Sequence, residues 1–280
     1  MFFSAGCKES LNCYQILDDE NQTKFKHVCS NKKEKRSIFK PFDPQKIIDI
    51  RINIIKAFFV SGKIIVITGN SIGFFNAFRF LENKFEFLAK LENDELSPIL
   101  SISKLKNIQN PTAKTRHFVT GDTNGLISIL KFSWNSNLEP NLTQIGSKKF
   151  HQRGVNCVKS VKNNLILSAG DDQKICIFKV EPDLSKYLIW QKENCSFSSI
   201  KSINFLNENV FTVGMDQIVR KWKVDFPDLN SAKDENLKTK LTLLESRDSS
   251  VVFPLGMKLF KNGNHVLAVV YGNGFEIIKF

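Results

Sequence analysis

SAGDDQKICIF, residues 168–178, and TVGMDQIVRKW, residues 212–222, are built on one plan. A Ser or Thr follows an apolar run, a short turn containing Gly and Asp comes next, and a second apolar run ends on an aromatic residue. Working outward, the same plan recurs as FFSAGCKESLNCY (2–14), VITGNSIGFFNAF (66–78) and FVTGDTNGLISIL (118–130). In all five the hydroxyl residue precedes an apolar or aromatic residue by ten positions: Ser4 with Tyr14, Thr68 with Phe78, Thr120 with Leu130, Ser168 with Phe178, Thr212 with Trp222. A weaker sixth copy, VVYGNGFEIIKF (269–280), closes the chain. Each copy reads as a hairpin, two β-strands joined by a turn of the residue types that tight hairpins demand.

Successive hydroxyls are 44 to 64 residues apart, at or above the spacing of about 40–45 residues expected of four-stranded propeller blades. The sequence between the hairpins supplies the remaining strands. The second blade takes residues 48–59, 64–69, 74–80 and 85–91; the third 99–106, 117–121, 126–132 and 142–150. The fourth takes 155–162, 165–169, 175–180 and 187–192, and the fifth 200–206, 210–213, 219–224 and 237–244. Polar stretches at 31–44, 106–116 and 225–236 read as surface loops, and no amphipathic helical period competes. The expected fold is all-β: an incomplete ring of about five blades plus a fragment. The chain opens on what reads as the second strand of a blade and closes on a third strand. Residues 1–280 are therefore expected to form a single partial propeller, the C-terminal part of a longer protein or of a truncated gene model.

Composition agrees with a strand-rich core. Hydrophobic residues make up 42% and charged residues 24% of the 280 residues, and Phe is used 25 times against three Trp and three Tyr. The most apolar long stretch, 47–69, is interrupted by Asp49, Arg51, Lys56 and Lys63, and the first nine residues lack the form of a secretory signal. The six Cys have neither CxxC nor zinc-type spacing and read as small buried hydrophobes. A soluble cytoplasmic protein without metal, cofactor or small-molecule substrate is the expectation. The net charge is +12, and residues 111–180 hold ten Lys/Arg against four acidic residues. A second basic cluster, Lys32, Lys33, Lys35 and Arg36 with its neighbours, is opposed only by Glu34. Local excesses of this kind suit a polyanion, although Lys-rich surfaces also serve solubility alone.

The repeat resembles the WD-repeat pattern. The resemblance implies that a His before a blade's first strand, the hydroxyl of its second, the Asp of its tight turn and the Trp of its third form a buried hydrogen-bonded set. In the fourth blade that set is His151, Ser168 and Asp172, with Phe178 in place of Trp. In the fifth it is Thr212, Asp216 and Trp222, without a His. Ile72, Asn124 and Lys8 stand at the Asp position of the other copies. His151 with Asp172 also has the makings of a catalytic dyad, but the structural role accounts for both.

Words outside the repeat narrow the resemblance. FFSAG with Lys8-Glu9, FDPQKIIDI, HQRGVN, SAGDDQ, GMDQIVRKW and YGNGFE occur in this order. Together they resemble the C-terminal propeller of the WD-repeat subunit that accompanies the FtsJ-type tRNA ribose methyltransferase; Lys46 departs from the Arg usual there. The resemblance implies a non-catalytic subunit that binds the methyltransferase and helps it 2′-O-methylate the wobble nucleotide of the anticodon. On that reading Lys148, Lys149 and Arg153, together with the Lys32–Arg36 loop, are the candidates for contact with the tRNA backbone. The alternative is a WD-repeat scaffold for protein partners with no RNA contact. An enzyme is not expected, because the chain has no P-loop, HExxH or nucleophile elbow, and Gly272-Asn273-Gly274 reads as a hairpin turn rather than a cofactor cradle.

Overall fold

The computed structural model describes residues 1–6, 10–19, 22–31, 50–93, 95–105, 114–134, 139–161, 164–180, 187–225 and 240–280. Among the described residues every regular element is a β-strand. The strands form six small antiparallel sheets. The first blade is β1 (Phe2–Ala5), β2 (Leu11–Asp19) and β3 (Gln22–Ser30), and the second is β4 (Ile52–Val60), β5 (Lys63–Asn70), β6 (Phe74–Leu81) and β7 (Lys84–Glu92). The third is β8 (Ile99–Lys104), β9 (Thr115–Asp122), β10 (Leu126–Trp134) and β11 (Pro140–Lys149). The fourth is β12 (Cys157–Ser160), β13 (Leu165–Ala169), β14 (Ile175–Val180) and β15 (Tyr187–Lys192), and the fifth is β16 (Ile200–Leu206), β17 (Asn209–Gly214), β18 (Ile218–Asp225) and β19 (Lys240–Asp248). The sixth holds β20 (Val252–Asn262) and β21 (His265–Lys279). Six sheets stand where five blades and a fragment were expected. Thr115 and Arg116, expected in a loop, begin β9, and the rest of that loop, apart from Lys114, lies outside the described residues.

Within each blade the strands pair in chain order, as hairpins joined by short turns require. The inner strands β4, β8, β12, β16 and β20 lie against one another in succession, and β1 lies against β4. In the other blades the strand next to the following blade's inner strand includes the second one, as β13 does with β16. The register makes β1 a second strand, as the sequence reading has it: Ser4 faces Asn12 just as Thr68 faces Asn76 and Ser168 faces Cys176. The last strand, β21, doubles back on itself: Val266 and Phe280 exchange backbone hydrogen bonds of 3.0 and 2.8 Å. The turn falls at Gly272–Gly274, where the sequence places it, and Phe275–Phe280 serves as a third strand.

The core lies between blades rather than within them, because each sheet is one layer thick and must bury both faces. Phe58, Phe118, Phe132 and Leu130 fill the space between the second and third blades. The Phe58 ring lies 4.8 Å from Phe118 and 5.7 Å from Phe132. Phe150 stacks on Phe178 at 4.8 Å between the third and fourth, and Leu167, Ile177, Val210 and Trp222 fill the next gap. Side chains on or just before one inner strand also donate to carbonyls on or just before the next: Asn53 to Ile99 (3.1 Å), Ser101 to Val155 (2.8 Å), Asn156 to Ile200 (3.0 Å) and Asn204 to Met257 (2.9 Å). These bonds satisfy polar groups in an otherwise apolar seam and fix the stagger of neighbouring blades.

Candidate functional site

In an antiparallel blade the turn from second to third strand and the connection to the next blade lie at the same end. The chain gathers its polar constellations there. In the fourth blade His151 Nδ1 lies 2.9 Å from Asp172 Oδ1 and His151 Nε2 lies 2.8 Å from Ser168 Oγ. Asp172 also accepts the N–H of Gln152 (3.0 Å) and of Lys174 (3.2 Å). Burial works to raise the Asp172 carboxyl, but the His151 hydrogen bond and charge and the two backbone N–H groups outweigh it and hold it below the usual carboxylate range. A Ser–His–Asp chain of this geometry would be a nucleophile with its base, were it open. Ser168 and His151 are 0% and 1% exposed, so no substrate reaches the hydroxyl, and the three residues clamp the incoming loop onto the turn.

The fifth blade divides the same parts differently. Trp222 Nε1 donates to Thr212 Oγ1 at 3.0 Å. Asp216, with no His to meet, accepts Ser196 Oγ at 2.8 Å and the Phe197 N–H at 3.1 Å, and pairs with Arg220 at 2.8 Å. Burial again opposes, and Arg220, Ser196 and the Phe197 N–H together hold the carboxyl low. Arg220 lies 5.4 Å beneath the ring of Phe197, which is 84% exposed.

In the second and third blades the structure corrects the assignment of Ile72 and Asn124. The cap sits two residues earlier, at Asn70 and Asp122. Asp122 Oδ1 accepts the N–H groups of Asn124 and Leu126, both at 2.9 Å, while Oδ2 accepts Ser97 Oγ (2.5 Å) and Asn93 Nδ2 (3.2 Å). Asn70 Oδ1 accepts the N–H groups of Ile72 (3.1 Å) and Phe74 (2.8 Å). The signal was legible in TGNSIG and TGDTNG, where an Asx lies two places after the hydroxyl and a Gly five places after it. The turn is the same length in all four blades, and its fifth residue after the hydroxyl is left-handed in each: Gly73, Gly125, Gln173 and Gln217. A carboxylate can therefore close it from either of two positions. Lys8 lies outside the described residues. In the sixth blade Glu276 takes the part, accepting Ser249 Oγ (2.9 Å) and the Ser250 N–H (2.7 Å).

Asp171, beside the cap in the fourth blade, does separate work. It accepts Asn156 Nδ2 at 2.7 Å, Ser199 Oγ, and Lys201 Nζ at 3.3 Å, joining the fourth and fifth blades. Around these anchored groups the loops present Leu96, Gln152, Arg153 and Phe197 to solvent. Lys148 and Lys149 are exposed at the end of β11, opposite Ile127 and Leu126, so Lys148, Lys149 and Arg153 share this end of the molecule. Lys32, Lys33, Lys35 and Arg36 lie outside the described residues. Other lysines, among them Lys84, Lys104 and Lys223, are exposed toward the opposite end. Burial pushes the thiols of Cys157 and Cys176 up to about 12 and that of Cys195 to about 11, so these behave as apolar filling. Among the described residues no group of three or more His, Cys, Asp or Glu is placed to hold a metal, and no helix is long and apolar enough to cross a membrane.

No protein-family model matches the sequence, and no curated protein matches it. Solved structures do. The crystal structure of Saccharomyces cerevisiae Sqt1, a WD-repeat propeller, is similar with a TM-score of 0.63 and 14% identity, over 99% of this chain and 67% of that one. The computationally designed Ika8 protein is similar with a TM-score of 0.50 and 18% identity, over 79% of this chain and 56% of that one. At such identities the likeness speaks for the fold alone. The fold is a β-propeller of six small antiparallel sheets.

Proposed function

We propose that this protein is a non-catalytic interaction scaffold that assists an FtsJ-type tRNA 2′-O-ribose methyltransferase at the anticodon wobble nucleotide, in the cytoplasm. The observation that carries the scaffold reading is the contrast at one end of the propeller. The Ser168–His151 nucleophile–base chain is sealed, while loops anchored by Asp122, Asp172 and Asp216 offer Phe197, Leu96, Gln152 and Arg153 outward. An aromatic ring held over a buried, ion-paired Arg220 is pre-ordered for contact, which lowers the entropic cost of binding a partner. The methyltransferase and tRNA half rests on the ordered words HQRGVN, SAGDDQ, GMDQIVRKW and YGNGFE. The exposed set Lys148, Lys149 and Arg153 gives it a physical route, since a subunit without catalytic groups helps only by positioning phosphates.

The test is tRNA binding by this protein together with the methyltransferase, wild type against the Lys148→Ala/Lys149→Ala/Arg153→Ala triple variant, across salt concentrations. Removing one phosphate-binding side chain should flatten the logarithmic salt slope by somewhat under one. Unchanged affinity and slope in a folded triple variant removes the patch from RNA binding. The second reading, a scaffold for protein partners with no RNA contact, is favoured by the lysines spread toward the opposite end. It predicts that the triple variant leaves tRNA binding unchanged while Phe197→Ala weakens binding of a protein partner.

A further inference from the structure

The last two strands of the first blade set two cysteines face to face. Cys13 on β2 and Cys29 on β3 are direct cross-strand partners, and both are free thiols. The same row, nine residues after the hydroxyl of each hairpin, recurs in the next four blades. There it pairs Ala77 with Ala89, Ile129 with Gly146, Ile177 with Trp190 and Lys221 with Glu245. Those pairs are complementary in size or in charge. Among the described residues only the first blade fills the row with two groups that can bond to each other. Just beyond the row the pairing shifts by one residue in the first, second, third and fifth blades. The extra residue on the outer strand is Val28 in the first blade, where Leu88, Ile145 and Leu244 stand in the others.

Directly opposed residues of an antiparallel pair have Cα atoms about 4.5–5.5 Å apart, within the span that a disulfide bridges. Their Cβ atoms also lie about 4.5–5.5 Å apart, slightly more than the roughly 3.5–4.5 Å of a relaxed disulfide. Closing the bond draws the strands together, and the bulge at Val28 gives β3 slack to follow. A bond closed against such a pull is readily reduced, which suits reversible use rather than a permanent staple. Access to the two sulfurs is unequal. Phe3, opposite Cys13 on β1, meets Phe80 and Phe85 edge-on at 5.3 and 6.0 Å, so this row faces the seam between the first and second blades. Cys13 is 0% exposed, while Cys29, on the outer strand, is half-buried. Burial, and then the neighbouring Cys29, pushes the Cys13 thiol up; burial pushes Cys29 up. Met1 Sδ, 3.8 Å from Cys13 Sγ, is a thioether and cannot exchange. The other described cysteines, Cys157, Cys176 and Cys195, lie in or beside the fourth blade.

We propose that Cys13 and Cys29 are a reversible dithiol–disulfide pair, closed by exchange with a small disulfide of the oxidised-glutathione class, that locks the outer strand of the first blade. Cys29, as its thiolate, attacks one sulfur of the small disulfide and releases one thiolate. Cys13, as its thiolate, then attacks the Cys29 sulfur of the mixed disulfide and releases the second. The two cysteines give up two electrons, the small disulfide gains them, and the two cysteine protons end on the two released thiols. Cys29 is the entry point because it is the one of the pair that reaches solvent, and Cys13 resolves because it lies opposite. With both thiols held up, closure is slow and follows the standing level of the small disulfide rather than brief bursts of oxidant. The closed bond ties residues 14–28 into a loop and holds β3, the edge strand of its sheet, on β2.

The test equilibrates the full chain with mixtures of reduced and oxidised glutathione, alkylates the remaining thiols, and maps disulfides by mass spectrometry of an unreduced digest. The expected result is a peptide linking Cys13 to Cys29 that disappears in excess reduced glutathione. The oxidised form should melt about 5 °C or more above the reduced form, because the bond closes a loop of about 15 residues. Ala77 and Ala89 fill the same row of the second blade, so Cys13→Ala/Cys29→Ala should fold and melt within about 2 °C of the reduced wild type. It should also lose the oxidative shift. Cys13→Ser should leave glutathione bound at Cys29, and Cys29→Ser should leave Cys13 unmodified. No Cys13–Cys29 link at any glutathione ratio, or a link from either residue to Cys7 in its place, overturns the proposal. So does an oxidised form that melts no higher than the reduced one, or glutathione captured at Cys13 in Cys29→Ser.

Discussion

Replacing Asp172 with Ala tests whether the fourth blade is closed by its carboxylate. The side chain is 5% exposed and that of His151 is 0% exposed. Asp172 accepts three hydrogen bonds, from His151 Nδ1 at 2.9 Å, the Gln152 N–H at 3.0 Å and the Lys174 N–H at 3.2 Å. Gln152 is exposed, so water replaces the carboxylate there at little cost. Lys174 is buried, and the His151 ring is sealed from solvent, so the imidazole N–H is left without an acceptor. One buried orphan costs about 1–3 kcal/mol, and losing a bond to a charged acceptor adds about 1 kcal/mol. The expected loss is about 3 kcal/mol, or roughly 6–12 °C in melting temperature for a chain of this size. Asp172→Asn keeps one acceptor for the ring and should lose about half as much. The pH dependence gives a second readout. The folded-state carboxyl is held below its ordinary value, so its contribution is complete above the unfolded value and is lost as pH falls through the folded one. Wild type and Asp172→Ala should differ most at neutral pH and converge at pH values well below about 4. The measurement is thermal and urea unfolding from about pH 7 to about pH 2. A loss under about 1 kcal/mol at neutral pH, or a gap that does not narrow in acid, refutes the clamp.

Thr212→Val should cost about 1–3 kcal/mol by orphaning the Trp222 N–H. Thr68→Val in the second blade should be neutral or stabilising, since the buried Thr68 hydroxyl has no partner beside Phe78; calorimetry of the two variants checks the contrast. Gly125→Ala should cost about 2 kcal/mol or more, because φ is +83° and an added Cβ meets the His151 carbonyl oxygen. Gln173→Gly should stay within about 0.5 kcal/mol, its relief of left-handed strain offset by unfolded-chain entropy; denaturant midpoints separate the two. Stability of the wild type should fall steeply below about pH 4 as Asp171, Asp172, Asp216 and Glu276, all held low, take up protons together.

Strand order and the class of fold were legible because they rest on local spacing. A hydroxyl ten residues before an apolar or aromatic residue, with a five-residue turn between, is a hairpin in any context. Four such hairpins with intervening apolar runs place β4 to β19 within a few residues. The His151–Ser168–Asp172 set was legible only through the resemblance of the repeat to the WD pattern, and its three parts do meet in the fourth blade. What the sequence did not decide involves contacts between repeats. That Ser97 and Asn93 arrive from the second blade to meet the far oxygen of Asp122 is one such contact. Whether Asp216 meets a His or Arg220 depends on what the preceding loop delivers. The role of Phe shows the same division: its abundance announces a strand-rich core, but only the ring of blades puts Phe58 against Phe118 and Phe132. Nor does alternation alone say that Tyr271, Phe275 and Ile277 are exposed while Leu167 and Ile177, in a like apolar pattern, are buried. The tertiary structure alone decides it. A residue's type fixes what it can bury or pair with; the assembled ring fixes whether a partner is there.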